Sequence, residues 1–232
     1  MSKKSNFFAA ATVLCVLTTS ATTMAQSLPG SLIQPTAATS TATSFGGLPT
    51  SNLINQNGLS SPYTSGVTLA SSAVSTTHVD TAFTEGWASD QPAGFSPFVL
   101  SFDLGATESI SGLRLWSTTV TTAGARGDVE DFEVFSDNDF DPNNGGLVNL
   151  GSFTALNQPI ANDRPAEDFA LNLTTSQFFH VQVNSNIGDS VNTSLGEVAF
   201  ITVGIVPEPS ALALLTAMAG GLMTRRRRKL LL

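Results

Sequence analysis

Cysteine is almost missing from this chain. The single thiol, Cys15, falls within the first 25 residues, inside what reads as an export signal. A mature chain beginning near Gln26 then has no disulfide, no thiol nucleophile and no thiolate-bound metal, so its core alone must hold it together. Cations are scarce as well. Between residues 26 and 206 there are 3 basic residues (Arg114, Arg126 and Arg164, with no lysine) against 17 acidic ones, a balance of −14. Such a stretch cannot neutralise a phosphate backbone, which excludes nucleic acid as a partner. Histidine is limited to His78 and His180, far apart in the sequence. With so few bases, no nucleophile–base–acid set stands out, and an enzyme is not expected. Helical stripes longer than two turns are also lacking before the tail.

What is present falls into four segments. Residues 1–25 read as a signal peptide, with Lys3 and Lys4 ahead of the apolar run "FFAAATVLCVL" and small residues in "TTMAQS" before the expected cut. Residues 26–47 are mainly Ser, Thr, Ala, Pro and Gly without a sustained period, which predicts a flexible leader. Residues 48–204 change character. "FVLSFDLG", "DFEVFSD", "DFALNL" and "FFHVQVNSN" alternate apolar and polar residues, and "SGLRLWS", "LVNLGSF" and "GEVAFITVG" extend the series. A period of two with one apolar face marks half-buried antiparallel strands. Roughly eight of them predict an all-β antiparallel jelly-roll sandwich. Its inward set is Phe102, Leu104, Leu113, Phe132, Val134, Phe169, Leu171, Val181, Val183 and Val198, with His180 on the polar face of its strand.

The order of these runs carries more than their number. Trp87 in a turn is followed by Asp103-Leu104-Gly105, then Ile110 to Leu115, Ser136-Asp137 and Glu197-Val198. Over about residues 50–204 this succession resembles the discoidin, or coagulation factor 5/8 type C, family, whose members share a galactose-binding-like sandwich. The resemblance implies a non-catalytic binding module that takes carbohydrate or membrane headgroups through loops at one end of the sandwich. The paired cysteines of many animal members have no counterpart here, and "TTVTTAGARGD" is long for the matching loop.

Several residues are candidates for ligand contact. Trp87, placed in a turn, could stack on a sugar ring; Arg126 is one of the few available cations; His180 lies on the polar face. In "SDNDFDPNNGG", Asp137, Asp139 and Asp141 recur at every second position and make a candidate calcium loop. The EF-hand pattern fails there, since Pro142 replaces the required glycine and Val148 the closing glutamate. Asn52, Asn55 and Asn57 mark a second stretch, where the resembling sandwiches often hold a structural calcium through backbone oxygens.

Residues 205–232 end the chain with Pro207-Glu208-Pro209, a short apolar run, then Arg225, Arg226, Arg227, Arg228 and Lys229. From Ser210 to Thr224 a helix would rise about 22 Å, short of a comfortable ~30 Å span, with the basic cluster kept cytoplasmic. The arrangement resembles the PEP-CTERM sorting signal. That implies a transmembrane helix before processing, an export machinery and an exosortase-type enzyme as partners, and delivery to the cell surface or extracellular matrix beside exopolysaccharide. Polysaccharide is therefore the expected ligand. A structural surface protein without a small ligand, and a secreted hydrolase, are the rival expectations.

Overall fold

The computed structural model describes residues 29–79, 85–118, 127–156, 164–188 and 191–204. The expected signal peptide and sorting tail lie outside them. Along the chain run β1 (Leu32–Ile33), β2 (Ala37–Ser40), β3 (Thr77–His78), β4 (Trp87–Ala88), β5 (Phe98–Trp116), β6 (Asp128–Val129) and β7 (Asp131–Asp137). Then follow β8 (Val148–Thr154), β9 (Arg164–Pro165), β10 (Glu167–Val183), β11 (Asn186–Ile187), β12 (Ser194–Leu195) and β13 (Glu197–Thr202). Among the described residues the only helical pieces are two 3-10 segments, Thr50–Ile54 and Ala70–Ala73.

β5 and β10 organise the rest. They pair antiparallel from Phe98↔Val183 to Leu115↔Glu167, and the ladder is interrupted between Ala170 and Thr174 and again between Ser176 and Phe178. Such irregularities bend strands, so each long strand serves two layers. One layer joins β2, the start of β5, the end of β10, β7 and β8. The other joins β1, β13, the end of β5 and the start of β10. The layers meet where Phe200 of the second packs on Phe102 and Phe179 of the first, at 5.8 and 4.7 Å between ring centres. The expected antiparallel sandwich is what forms.

The Asp-Leu-Gly motif sits at the bend of β5. Asp103 Oδ1 accepts the Gly105 N–H at 2.7 Å. Gly105 has φ of +79°, and a Cβ there would lie 2.8 Å from Thr36 Cγ2. A left-handed backbone in so tight a space requires glycine.

The residues expected inward line the core between the layers, Phe169 alone being only partly buried, against Phe132 and Phe153. One expectation is overturned. Residues 26–47 are not simply a leader, because Leu32 and Ile33 pair with Ile201 and Phe200, and Ala37–Ser40 pair with Leu100–Asp103. Ser/Thr-rich sequence carries no apolar period, yet the open edges of β13 and β5 satisfy its backbone groups. Leu32 is fully buried as a result.

The second layer is covered on its outer face too. Leu59, Tyr63, Ala70 and Ala73 close over Leu32, Trp116, Ala199 and Ile201. Tyr63 stacks on Trp116 at 6.2 Å, and Trp116 Nε1 donates to the Thr76 carbonyl at 2.9 Å.

Candidate functional site

The outer face of the first layer is open except at one end, where the turn between β7 and β8 folds over it. In-register pairing puts His180 beside Ser101 and Phe135, and Phe178 beside Asp103 and Asp137. Phe140 of the turn packs on Phe178 at 6.1 Å. Beneath it His180 is fully buried, which corrects the expectation of an exposed ligand residue. The alternation assigned its face correctly; the cover comes from a loop that no strand period reveals.

His180 Nδ1 lies 2.8 Å from Ser101 Oγ, and Nε2 lies 3.7 Å from Asp137 Oδ2. The second distance is too long for a hydrogen bond, and neither Nε2 nor Oδ2 makes one elsewhere. Burial holds the His180 imidazole below its usual pKa, against the opposing pull of Asp137, Asp139 and Asp141. A serine, a histidine and an aspartate thus sit side by side, but Ser101 and His180 are sealed from solvent. Nucleophilic catalysis needs a nucleophile that a substrate can reach, and this set offers none.

The acidic turn does not gather its carboxylates. Asp137 Oδ1 accepts from the Asn138 N–H (2.7 Å), Asp139 Oδ1 from the Asp141 N–H (2.8 Å) and Asp141 Oδ1 from the Asn143 N–H (3.0 Å). Asp139 Oδ2 accepts from the Asn144 amide. Each side chain caps its own local backbone, the habit of Asp in turns. Among the described residues no group of three or more His, Asp or Glu is arranged to hold a metal. The calcium loop expected at Asp137, Asp139 and Asp141 is therefore corrected to a self-capped turn.

Beside this turn a cleft of about 470 Å³ opens. Ser136, Asp137, Thr174, Thr175, Ser176 and Gln177 line it, with Phe178 at its flank. Asp137 is the notable member, since its side chain has 0% exposure and one oxygen without a partner. Gln177 Nε2 donates to Asp103 Oδ1 at 2.8 Å on the same side.

The other candidates fare differently. Trp87 is no exposed platform: it has 0% exposure, packs on Phe98 at 5.5 Å and donates Nε1–H to Ser44 Oγ at 2.9 Å. Its turn is drawn into a short strand by pairing with Leu195, so the ring faces the core. Arg126 lies outside the described residues, as do Pro207, Glu208, Pro209 and the basic cluster from Arg225 to Lys229. Asn52 and Asn55 spend their amides on Gly86 and on each other.

Sequence reasoning missed the buried charges. Arg114 reaches Asp168 through two hydrogen bonds of 2.5 and 2.7 Å, donates to the Ala70 carbonyl at 3.0 Å and lies over Trp116. Arg164 pairs with Asp128 in a second buried ion pair. Glu197 is fully buried; the Gln56 N–H donates to its Oε2 at 3.0 Å, while Oε1 has no partner. Burial pushes its carboxyl up to about 9. The one sequence cue was an acid opening the apolar run "EVAFITV".

No protein-family model matches the chain, and no curated protein does. Solved structures share parts of the fold at low identity. A family 32 carbohydrate-binding module from the NanJ protein of C. perfringens, solved with galactose, is 16% identical, covers 73% of this chain and 97% of that one, and gives a TM-score of 0.47. The family 32 module of AlyQ, solved with 4,5-unsaturated mannuronic acid, is 17% identical with the same coverage and a TM-score of 0.46. The first two family 32 modules of C. perfringens ZmpB are 11% identical, covering 73% of this chain and 35% of that one at 0.49. Likenesses this partial decide neither family nor ligand.

Proposed function

We propose that this protein is an exported bacterial surface or matrix component whose sandwich binds polysaccharide without acting on it. The observation that carries the reading is the cleft beside the β7–β8 turn. It is walled by hydroxyls and an amide that can meet sugar hydroxyls, and flanked by Phe178, whose apolar ring suits a sugar face. The Ser101, His180 and Asp137 set beside it is buried and cannot act as a nucleophile–base pair on a substrate. A glycan-array screen of the full chain tests the reading; retention of a defined glycan supports it, and uniform silence across the array ends it.

Export and sorting rest on the sequence ends. The amino-terminal signal and the Pro207-Glu208-Pro209 tail support passage across the membrane, capture by an exosortase-type enzyme and loss of the basic cluster. Surface protein from the native host is expected to lack Arg225 to Leu232. A Pro207/Glu208/Pro209→Ala variant is expected to stay in the membrane. An intact mass that retains the arginines would leave a plain anchor instead.

Calcium keeps a place in the proposal, moved from the aspartates to Glu197. The orphaned Oε1, buried against the Gln56 turn, is a carboxyl oxygen at which a calcium ion would have to displace the proton that burial retains. A second reading, a surface module that assembles through its own contacts, draws on the exposed Val67, Leu69 and Val203. Leu69 and Val203 line an apolar cleft of about 720 Å³. Light scattering across a concentration series decides between them.

A further inference from the structure

We propose that the sandwich rests one apolar corner on the lipid surface while its tail is still attached, and leaves the membrane when the tail is lost. The inference rests on the export and sorting reading and adds a contact to it. The corner is where the described residues begin and end. The Val203 N–H donates to the Ser109 carbonyl and the Thr202 N–H to the Ser31 carbonyl, both at 3.0 Å, and Ser31 bridges to Leu69. A Cβ on Gly204 would lie 2.6 Å from Pro29 Cβ, so the two ends abut. Around them Val67, Leu69 and Val203 are 71, 53 and 41% exposed, and Leu69 and Val203 rim the cleft of about 720 Å³. Among the described residues, Glu108 is the one charge lining that cleft. Between residues 26 and 206 acids outnumber bases 17 to 3, yet this corner meets headgroups with little like-charge repulsion.

The tail brings lipid to this corner. Five residues, 205–209, join Gly204 to the apolar run that starts at Ser210, at most about 20 Å of extended chain. The headgroup layer takes up roughly 5–7 Å of that reach. As a helix the run from Ser210 to Thr224 rises about 22 Å, about 8 Å short of the hydrocarbon core. The basic cluster holds its far end in the cytoplasmic headgroups. The shortfall therefore draws the outer end, and the corner with it, toward the membrane. Exposed aliphatic side chains held there gain by entering the interface. Their hold is weak alone. Val67, Leu69 and Val203 carry about ten side-chain carbons, fewer than one myristoyl chain, which itself binds only marginally. The tail supplies the effective concentration that makes the contact persist. Its loss leaves too little apolar area to stay, and the protein departs.

The test uses the full chain exported by a host without the sorting enzyme, so that the tail remains and the removed signal takes Cys15 with it. A polarity-sensitive dye is placed on Ser71→Cys, in the lining of the corner, or on Ala93→Cys, an exposed turn residue before β5. From Phe98 to its bend at Gly105, β5 covers about 23 Å, which separates Ala93 from the corner. Each protein is reconstituted into phosphatidylcholine vesicles carrying a headgroup nitroxide, and flotation reports anchoring. Both should float, with a blue shift and quenching at Ser71→Cys and neither at Ala93→Cys. Val67→Glu/Leu69→Glu, at exposed positions, should leave the melt and the flotation unchanged and remove both signals. Flotation with Ser71→Cys quenched no more than Ala93→Cys would overturn the lipid contact and leave the anchor standing. Quenching that survives in the double variant would overturn it too, because the tether alone would then account for the proximity. A blue shift that needs no vesicles and grows with protein concentration would give the corner to a second copy. Failure to float would sink the anchored precursor and the lipid contact together.

Discussion

The two outer faces of this sandwich are opposites. On the second layer, Trp116, Ala199 and Ile201 point outward and are roofed by Leu59, Tyr63, Ala70 and Ala73, so that layer is buried on both sides. Its polar groups are locked into that roof: Arg114 bonds the Ala70 carbonyl as well as Asp168, and Glu197 takes the Gln56 N–H. On the first layer, Val99, Asp103, Glu133 and Gln182 face outward and stay partly exposed, and only the β7–β8 turn closes over one end. One face spends its chemistry on holding the fold, while the other keeps a cleft. The difference lies in what the strands present outward: large apolar rings need a cover, and polar side chains do not.

The sharpest break in that comparison is a core-sized deletion under the roof. Trp116→Ala removes the ring that stacks on Tyr63 and the Nε1–H bonded to Thr76. It should cost about 3–5 kcal/mol. Thr175→Arg, at an exposed position on the open side, should stay within about 0.5 kcal/mol. Urea unfolding of both variants measures the contrast. Equal losses would mean that the roof contributes no more than open surface.

The buried acid gives the next effect. Glu197 has its carboxyl raised from 4.5 to about 9 in the fold. The unfolded chain gives up this proton first, so the folded state binds more protons between those two values. Stability is therefore full below about 4.5 and falls as pH rises towards 9, by at most about 1.4 kcal/mol per pH unit. Thermal melts in chelator should show this slope, and Glu197→Gln should flatten it. Calcium sharpens the result, because a metal at Oε1 replaces the proton. Its stabilisation should then grow with pH in the wild type and vanish in Glu197→Gln.

The open face should answer pH in the other direction, and less. His180 is held below its usual 6.5 by burial. As pH falls through that value the unfolded histidine takes a proton that the folded one refuses, so stability drops on the acid side. His180→Asn keeps a polar group beside Ser101 and should remove the acid-side loss. If wild type and variant lose stability equally below the usual histidine pKa, some other group sets that limb.

How much of this could be read from the sequence depends on whether the cause was periodic. "FVLSFDLG" and "FFHVQVNSN" gave the core because alternation is a local rule, and Phe102, Val181 and Val183 obey it. The strands at Leu32–Ile33 and Ala37–Ser40 were illegible, since they form on edges that exist only once β13 and β5 are in place. Trp87 read as an exposed turn, because its partner Leu195 lies more than 100 residues away. His180 was assigned to the correct face and the wrong exposure, because a single turn residue, Phe140, anchors the loop that covers it. The cleft itself arises where a hairpin turn meets the bends of two long strands, which no spacing in one segment encodes.

The smallest expected effect concerns the aspartates that looked most like a metal site. Asp139 accepts the Asp141 N–H with one oxygen and the Asn144 amide with the other. Asparagine keeps the acceptor that caps the backbone and loses the second contact at a partly exposed position. Asp139→Asn should therefore shift stability by less than about 0.5 kcal/mol. Its response to calcium should match the wild type, because the carboxylates of this turn point at their own backbone and not at a shared centre. Paired melts of Asp139→Asn and Glu197→Gln, each with chelator and with calcium, separate the two assignments. Loss of the calcium response in Asp139→Asn, with its survival in Glu197→Gln, would return the metal to the turn and make the open face the one that needs an ion to hold its shape.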